Sequence, residues 1–277
     1  MDLDMYAHIT TQKNLQTLSS FGNIIIEPSS GELASGLEGK GRMEEPENIV
    51  KEVEKYFKKS LSLKDKKILI TAGPTYEKID PVRFIGNYST GKMGFALAEE
   101  CAKRGAEVYL IAGPVELQIQ HLSIKRIDVE SAEEMYMQAV KYFSHSDIAI
   151  LSAAVADFTP EIKTDYKIKK KGNNLTLNLL PTRDIAASLG KNKKENQLLV
   201  GFSLETDNEE SNALKKLEKK NLDMIVLNSL QDKNAGFKYD TNKISIYAKS
   251  GEKLVFDLKS KKEVAIDIMD WIDGQIK

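Results

Sequence analysis

The clearest chemical pattern in this 277-residue chain lies in the segment Gly86–Met93, GNYSTGKM. Its spacing nearly matches the phosphate-loop pattern G-x-x-x-x-G-K-[ST], in which backbone N–H groups hold phosphates and the final hydroxyl binds magnesium. Met93 stands at the final position, and a thioether cannot replace that hydroxyl. The segment therefore predicts a helix start that can bind an anion. A phosphate-loop NTPase and a helix start without any ligand are the alternatives from this segment alone.

Two groups of lysines could supply the cations that a bound triphosphate needs. Each also has an ordinary interpretation, because lysine-rich strands are typical of protected sheet edges and lysine-rich helices are typical of solvated faces. The formal net charge is -1, so such a cluster would act as a local site. The first group comprises Lys167, Lys169, Lys170 and Lys171, and the second comprises Lys215, Lys216, Lys219 and Lys220.

Other chemistries fit the composition poorly. The three histidines, His8, His121 and His145, do not have the spacing of metal ligands, and Cys101 is the single cysteine. Neither a G-x-S-x-G elbow nor a G-x-G-x-x-G loop after the first strand occurs. No apolar run approaches the roughly 20 residues of a membrane span. We therefore expect a cytoplasmic protein that binds neither membranes nor nucleic acids.

From Asp65 onwards, apolar runs alternate with amphipathic segments, which predicts a doubly wound, Rossmann-like α/β domain with a mostly parallel sheet. Such sheets bind ligands at the carboxyl ends of their strands. Lys243–Ala248 and Lys253–Leu258 predict an antiparallel edge hairpin, and Ser260 and Glu263 predict a cap for the last helix. The predicted strands are Lys67–Thr71, Glu107–Ala112, Ile124–Val129, Asp147–Ala156, Leu198–Glu205 and Asp223–Asn228. The predicted helices are Met93–Arg104, Ser131–Phe143, Asp184–Leu189 and Glu209–Asn221.

Two segments interrupt this alternation. The stretch Tyr76–Thr90 is too long for an ordinary strand-to-helix connection, so we interpret it as a long polar binding loop. The stretch Lys163–Leu180 contains alternating apolar and polar residues, which predict a hairpin that projects from the sheet. Its lysines would then lie near the carboxylate of Asp157, which follows an apolar strand.

The first part of the chain has a different character. Thr11–Leu18 predicts a helix, Ile24–Ile26 a single strand without a partner, and Pro46 the start of a second helix. Lys58–Lys64 is then interpreted as a linker. Because one unpaired strand cannot build a core, we interpret this part as the tail of a longer domain.

Long motifs in the second part resemble the phosphopantothenate–cysteine ligase family, the second half of a bifunctional coenzyme A biosynthesis flavoprotein. The resemblance covers residues 65–270 and is carried by ILITAGPTYEKIDPVRFIGNYSTGKMGFALAE, SAAVADF, KIKK, LVGFSLET and KKLEKKNLDMIVLN. MDLDMY and SGELASGLEGKGRMEEPENI resemble the end of the partner half, a flavin-dependent decarboxylase. The expected domains are therefore a decarboxylase remnant with linker at 1–62 and a ligase domain at 63–277.

The resemblance implies FMN only in a complete decarboxylase domain. Ser35 stands where many relatives have a proton-donating cysteine, and Asp2 replaces the usual asparagine. A hydroxyl is a much weaker acid than a thiol. We therefore expect no decarboxylase activity from the remnant.

For the second part, the resemblance implies CTP-dependent, magnesium-requiring ligation of 4′-phosphopantothenate to cysteine through an acyl-cytidylate. It also implies a homodimer in which each substrate site is completed across the interface. A nucleotide-binding regulatory module without turnover is the alternative from another class. The implied catalytic residues are Asn87 and Lys167, and the substrate contacts are Arg83, Asn87, Ser89 and Gly91. The implied CTP contacts are Ala153, Asp157, Lys167, Arg183, Asp184, Ile185, Ala186, Phe202, Lys216 and Lys220; no metal ligand is assigned. Family members usually have proline where Arg183 stands, and this departure affects the expected shape of the local turn more than nucleotide binding.

Overall fold

The computed structural model describes residues 1–170, 172, 174–205, 207–229 and 239–276. The chain forms two compact units, Met1–Ser60 and Leu61–Lys277. The first unit contains three helices and one hairpin among its described elements. These are α1 (Leu3–Ala7), α2 (Ile9–Ser20), β1 (Ser29–Glu32), β2 (Glu38–Arg42) and α3 (Pro46–Ser60).

The strand that the sequence predicts at Ile24–Ile26 is wrong. The strands of this unit are β1 and β2, which pair with each other in antiparallel fashion. Glycine makes β2 possible, because a Cβ at Gly41 would lie 2.4 Å from the carbonyl oxygen of Met1. The N-terminal ammonium group donates to the carbonyl of Gly41 at 2.9 Å. The predicted linker is also shorter than expected, since α3 continues to Ser60.

An eight-stranded sheet forms the centre of the second unit, with the strand order β15-β14-β12-β11-β8-β3-β6-β7. The six strands from β12 to β7 are parallel, and β14 and β15 at the opposite edge form the antiparallel hairpin. This confirms the predicted fold class. The parallel strands are β3 (Lys67–Ala72), β6 (Glu107–Ala112), β7 (Ile124–Asp128), β8 (Ile148–Leu151), β11 (Leu198–Glu205) and β12 (Met224–Ser229), and the edge strands are β14 (Ile244–Ala248) and β15 (Lys253–Val255).

Helices cover both faces of this sheet, because successive residues of a strand point to opposite sides. In β3, Ile68 and Ile70 belong to the core beneath α4 and α8, whereas Leu69 belongs to the core beneath α5, α6 and α7. Ser131 and Ser260 form the predicted capping boxes. The helices are α4 (Lys92–Lys103), α5 (Ala132–Phe143), α6 (Ile185–Asn192), α7 (Glu209–Lys219) and α8 (Lys261–Gln275).

The strand predicted at Asp147–Ala156 is shorter in the structure, where β8 ends at Leu151. The hydroxyl of Ser152 donates to the carbonyl of Thr71 at 2.7 Å, and the N–H of Ala154 donates to Gly73 at 2.9 Å. The small residues after β8 therefore run beside the end of β3 as a loop.

The long segment after β3 is not all loop. It contains a small antiparallel pair, β4 (Tyr76–Lys78) and β5 (Phe84–Gly86). The rings of Tyr76 and Phe84 stack across this pair with their centroids 3.8 Å apart. Two other short strands, β13 (Thr241–Asn242) and β16 (Lys259–Ser260), pair with each other.

The hairpin predicted within Lys163–Leu180 is wrong. The pair that forms is β9 (Phe158–Pro160) with β10 (Leu179–Pro181), and the described residues between them contain no strand. The reason lies at Ile168, whose backbone N–H and carbonyl are bonded to the side chains of Asp80 and Arg83. Lys171 lies outside the described residues.

Candidate active site

A cleft of about 670 Å³ lies at the carboxyl ends of β3, β8, β11 and β12. This is where a doubly wound sheet is expected to bind its ligand. Three walls form it. The first is the start of α4, and the second is the loop after β8. The third is the start of α6 together with the inner side of α7. Of the residues that the resemblance implies, those lining the cleft are Asn87, Ser89, Gly91, Ala153, Asp157, Arg183, Asp184, Ile185, Ala186, Phe202, Lys216 and Lys220.

The first wall is the start of α4. Gly91 is its N-cap and adopts a left-handed conformation with φ of 77°. A side chain there would be strained, and its Cβ would lie 3.2 Å from Val115. The first N–H groups of a helix have no acceptor within the helix. With Lys92 and Met93 at the cleft surface, this wall can therefore bind an anionic group.

Asn87 connects the first wall to the second. Its Nδ2 donates to the carbonyl oxygens of Ala154 and Val155, both at 3.1 Å. The N–H of Ala153 in turn lies 3.3 Å from the hydroxyl of Thr71. The two Asn87 bonds hold the loop after β8 against the segment that leads into α4, and the Thr71 contact holds it against the end of β3.

The third wall contains two lysine–carboxylate pairs. Lys220 Nζ lies 2.9 Å from Asp184, which also caps α6 by accepting from the N–H of Ala187. Lys216 Nζ lies 2.5 Å from Glu205 and 3.1 Å from the hydroxyl of Ser203. Each cation thus has a carboxylate that holds it in place.

The pKa values of both carboxyl groups reflect this pairing. Burial raises the pKa of Glu205, but the hydrogen bonds from Lys216 and Ser203 outweigh it, and the net pKa lies below the usual value. For Asp184, burial is likewise outweighed by the backbone donor of Ala187 and by Lys220, which lower its pKa. Both carboxylates therefore stay ionised at neutral pH.

Arg183 is at the mouth of the cleft and is turned toward α5. Its guanidinium lies 3.3 Å from Glu133 and 4.9 Å from the ring centroid of Tyr136. The arginine is 61% exposed in its side chain. The turn that the resemblance associates with proline is thus held here by a cation on an aromatic ring.

Comparison with known proteins identifies the family. Residues 63–275 match the model described as DNA/pantothenate metabolism flavoprotein C-terminal domain. The chain belongs to this family. Residues 1–58 match a second model, described as Flavoprotein.

Three similar proteins span most of the chain. A protein of an unknown prokaryotic organism, named Cysteine/Cysteine sulfinic acid decarboxylase, is 58% identical over 97% of this chain and 76% of that protein. The coenzyme A biosynthesis bifunctional protein CoaBC of Bacillus subtilis (strain 168) is 48% identical over 98% of this chain and 67% of that protein. The crystal structure of the C-terminal domain of a CoaBC protein matches with a TM-score of 0.67 and 42% identity, covering 78% of this chain and 98% of that one. The resemblance to the bifunctional coenzyme A biosynthesis proteins is therefore confirmed.

Two of the residues implied by this family do not line the cleft of their own chain. Lys167 is exposed on the connection between β9 and β10. Arg83 Nη2 lies 3.0 Å from Asp80 and donates to the carbonyl of Ile168 at 2.5 Å. In this chain Arg83 therefore contacts the connection that carries Lys167.

The cleft also contains residues that the sequence interpretation missed. Lys92 was part of the GNYSTGKM motif but was assigned no role, and it pairs with Asp240 at 2.6 Å. Lys261 begins α8 and is only 7% exposed. Burial and the charge of Lys92 lower the pKa of Lys261 to about 8, although Asp240 opposes this. Nothing in the sequence near Lys261 signals its place, because folding brings α8 to the cleft.

Two further findings bear on cofactors and location. Among the described residues, no group of three or more His, Cys, Asp or Glu side chains could hold a metal ion by itself. Within the same part of the chain, no helix is long and apolar enough to cross a bilayer.

Proposed function

We propose that the second unit is a phosphopantothenate–cysteine ligase that uses CTP. The observation that carries this proposal is that the start of α4, which can bind an anion, lines the same cleft as Lys216 and Lys220. Such a cleft can take a nucleoside triphosphate at one wall and a second anionic substrate at the other. The name of the similar B. subtilis protein, a bifunctional protein of coenzyme A biosynthesis, supports the same substrate class.

The proposed reaction has two steps. First, a carboxylate oxygen of 4′-phosphopantothenate attacks the α-phosphorus of CTP, and the bond to the β-phosphate breaks so that pyrophosphate leaves. Second, the amine of cysteine attacks the acyl carbon, the bond to CMP breaks, and the amine loses a proton as the amide forms. The carboxylate must be activated because its oxygen is a poor leaving group. In the acyl-cytidylate, the same oxygen can leave as part of CMP.

The third wall is the proposed CTP site. Lys216 and Lys220 would exchange part of their contact with Glu205 and Asp184 for phosphate oxygens, which are also anionic. The remaining proposed contacts are Ala153, Asp157, Arg183, Ile185, Ala186 and Phe202. Lys167 is the proposed cation at the reacting α-phosphate, where charge develops in the first step.

The first wall is the proposed phosphopantothenate site. Ser89, Gly91 and the first turn of α4 would hold its anionic groups, and Arg83 would add a guanidinium. Asn87 is proposed to donate to the oxyanion that develops in the second step. In this structure its amide donates to Ala154 and Val155, so the role requires the side chain to turn toward the bound ligand.

Magnesium is a proposed cofactor of the first step. Mg²⁺ is commonly held by one or two carboxylates together with substrate phosphates. Asp157 is an exposed carboxylate at the cleft and fits that requirement. Bound there, the ion would neutralise charge on the departing pyrophosphate. FMN would serve only the decarboxylase half of a bifunctional protein, and no ligation step is assigned to it.

We further propose a homodimer through the second unit. Six large apolar side chains around β4, β5 and β9 are at least 49% exposed, and β4 packs beside β9. Large apolar side chains exposed on neighbouring segments favour an interaction surface. Arg83 and Lys167 lie on this side and would complete the site of the partner subunit. The exposed side chains are Val82, Phe84, Tyr88, Phe158, Ile162 and Tyr166.

One assay separates the candidate functions. Pyrophosphate is measured with CTP alone, with CTP and 4′-phosphopantothenate, and with cysteine added, each with and without EDTA. We expect pyrophosphate release only when CTP and 4′-phosphopantothenate are both present. CMP should appear only after cysteine is added, and EDTA should abolish turnover. Release from CTP alone would indicate an NTPase, and CTP binding without release would indicate a regulatory module. Carbon dioxide from cysteine alone would instead indicate a decarboxylase of the kind that the 58% identical protein is named for.

A further inference from the structure

Asp80 is a buried carboxylate that the proposed reaction does not use. It lies in the turn between β4 and β5, and its side chain has no exposed surface. Its Oδ1 accepts hydrogen bonds from the N–H groups of Val82 at 2.8 Å and Arg83 at 2.9 Å. These two bonds close the turn, so one oxygen has an ordinary structural role.

The other oxygen contacts a segment that is distant in sequence. Oδ2 accepts from the N–H of Ile168 at 3.1 Å and pairs with Nη2 of Arg83 at 3.0 Å. The same Nη2 donates to the carbonyl of Ile168 at 2.5 Å. One ion pair therefore holds both backbone groups of Ile168, the residue next to Lys167.

A second anchor lies three residues before Lys167. The N–H of Thr164 donates to the carbonyl of Ile79 at 3.2 Å, and its hydroxyl contacts the same oxygen at 3.4 Å. Lys167 thus lies between two points at which the connection is bonded to the β4–β5 turn. These backbone anchors limit the region that the exposed ammonium group of Lys167 can reach.

The anchor at Ile168 requires a carboxylate. Burial raises the pKa of Asp80, but backbone donors from Val82, Ile168 and Arg83 and the Arg83 charge outweigh burial and lower the pKa below its usual value. The ionised group accepts three backbone hydrogen bonds and forms one ion pair with Arg83, so each oxygen has two partners. An amide has only one acceptor oxygen, so asparagine could close the turn or hold Ile168 but would serve both poorly.

We propose that Asp80 is a positioning residue, which through Ile168 places Lys167 at the reacting phosphate. The catalytic consequence rests on the proposed ligase function, whereas the anchoring of the connection does not. The alternative is that Asp80 only stabilises the β4–β5 turn and has no effect on Lys167.

Hydrogen–deuterium exchange of the whole chain tests the anchoring. Asp80→Asn is compared with Asp165→Asn, which removes an exposed carboxylate from the same connection. We expect the Ile168 amide to exchange about tenfold faster or more in Asp80→Asn, because a bond to a charged acceptor is lost. Asp165→Asn should leave the exchange unchanged. Unchanged protection in a folded Asp80→Asn chain would overturn the proposal.

Arg83→Lys provides a second variant if Asp80→Asn does not fold. It keeps the positive charge but loses the forked geometry that holds the Ile168 carbonyl. Faster exchange at Ile168 is again expected, and unchanged exchange contradicts the anchor.

Single-turnover kinetics test the catalytic consequence. At saturating CTP, Asp80→Asn should form the acyl-cytidylate about tenfold more slowly, because Lys167 is misplaced. The dissociation constant for CTP should not change, because Lys216 and Lys220 are held by their own carboxylates. A normal rate despite faster exchange, or a loss of CTP affinity alone, would overturn the positioning role. If the unaltered chain forms no acyl-cytidylate, the proposed function fails and the exchange result still decides the anchoring.

Discussion

The two lysine groups of the chain are similar in composition but lie in different environments. On α7, Lys216 and Lys220 are held by Glu205 and Asp184 at 2.5 and 2.9 Å at the wall of the cleft. On the connection between β9 and β10, Lys167, Lys169 and Lys170 are exposed, and the backbone beside Lys167 is anchored instead. Lys216 and Lys220 thus have carboxylate partners that place their ammonium groups before any ligand binds. Lys167 instead has an anchored backbone and a long, exposed side chain.

Similar lysine runs can therefore acquire different functions. A counter-ion lowers the entropy cost of holding a long side chain in place, which suits a binding site. An exposed lysine on an anchored backbone can instead approach a ligand after it has bound, which suits a step in which charge develops. We therefore expect the α7 lysines to affect binding and Lys167 to affect the rate.

The largest effect is expected from Lys167→Gln. Formation of the acyl-cytidylate should fall by about 10²–10³-fold, because the positive charge that meets the developing charge on the reacting phosphate is lost. The dissociation constant for CTP should stay nearly the same. Rapid-quench measurement of the intermediate and calorimetric titration of CTP check both statements, with Lys170→Gln as the matched exposed control.

Asn87→Asp provides the companion variant. It should release pyrophosphate once, accumulate the acyl-cytidylate and stall before CMP appears. If Lys167→Gln accumulates the intermediate and Asn87→Asp does not, the two roles are reversed. Mixing the two inactive variants should restore up to about a quarter of the activity if each site uses both subunits of a dimer. No recovery in subunits shown to exchange would contradict the shared site.

An intermediate effect is expected from Lys216→Gln. CTP should bind about 10- to 100-fold more weakly, because a charge-assisted contact is lost and Glu205 remains as an unpaired anion near the phosphates. Lys215→Gln changes an exposed lysine on the same helix and should alter the dissociation constant by less than about twofold. Equal effects of the two substitutions in the titration would show that the carboxylate partner is irrelevant.

The smallest effect is expected from pH, through Lys261. Its pKa of about 8 means that about tenfold fewer molecules carry the charge at pH 9 than at pH 7. Lys261 lines the cleft together with Lys92 of the first wall, where 4′-phosphopantothenate is proposed to bind. Binding of this substrate should therefore weaken by up to about tenfold over this range. Lys261→Arg should remove this dependence, whereas Lys262→Arg, on the exposed side, should keep it.

The same pKa has a consequence for stability. Between the folded pKa of about 8 and the higher value of an unfolded lysine, the unfolded chain binds more protons. The contribution of Lys261 to the free energy of unfolding therefore rises as pH increases through this window. A flat profile in both binding and unfolding measurements would contradict the lowered pKa.

Local patterns predicted most of the fold. The strand Leu198–Glu205 and the capping boxes at Ser131 and Ser260 agree with the structure, because side-chain periodicity and caps depend on neighbouring residues. The same local rules failed at Ile24–Ile26 and Lys163–Leu180. At the latter, the side chains of Asp80 and Arg83 bond the backbone N–H and carbonyl of Ile168. These two groups are therefore not available to pair with a neighbouring strand.

The family, the α/β class and the motifs that supply most of the cleft residues could be read from contiguous segments of the chain. The folded structure was needed to find that Lys261 lies in the cleft, that Glu205 holds Lys216, and that Asp80 anchors the residue beside Lys167. The physical reason is that charge pairing and burial depend on distances between segments far apart in the chain. Asp80 and Ile168 are 88 residues apart in sequence, yet the carboxylate Oδ2 of Asp80 lies 3.1 Å from the backbone nitrogen of Ile168.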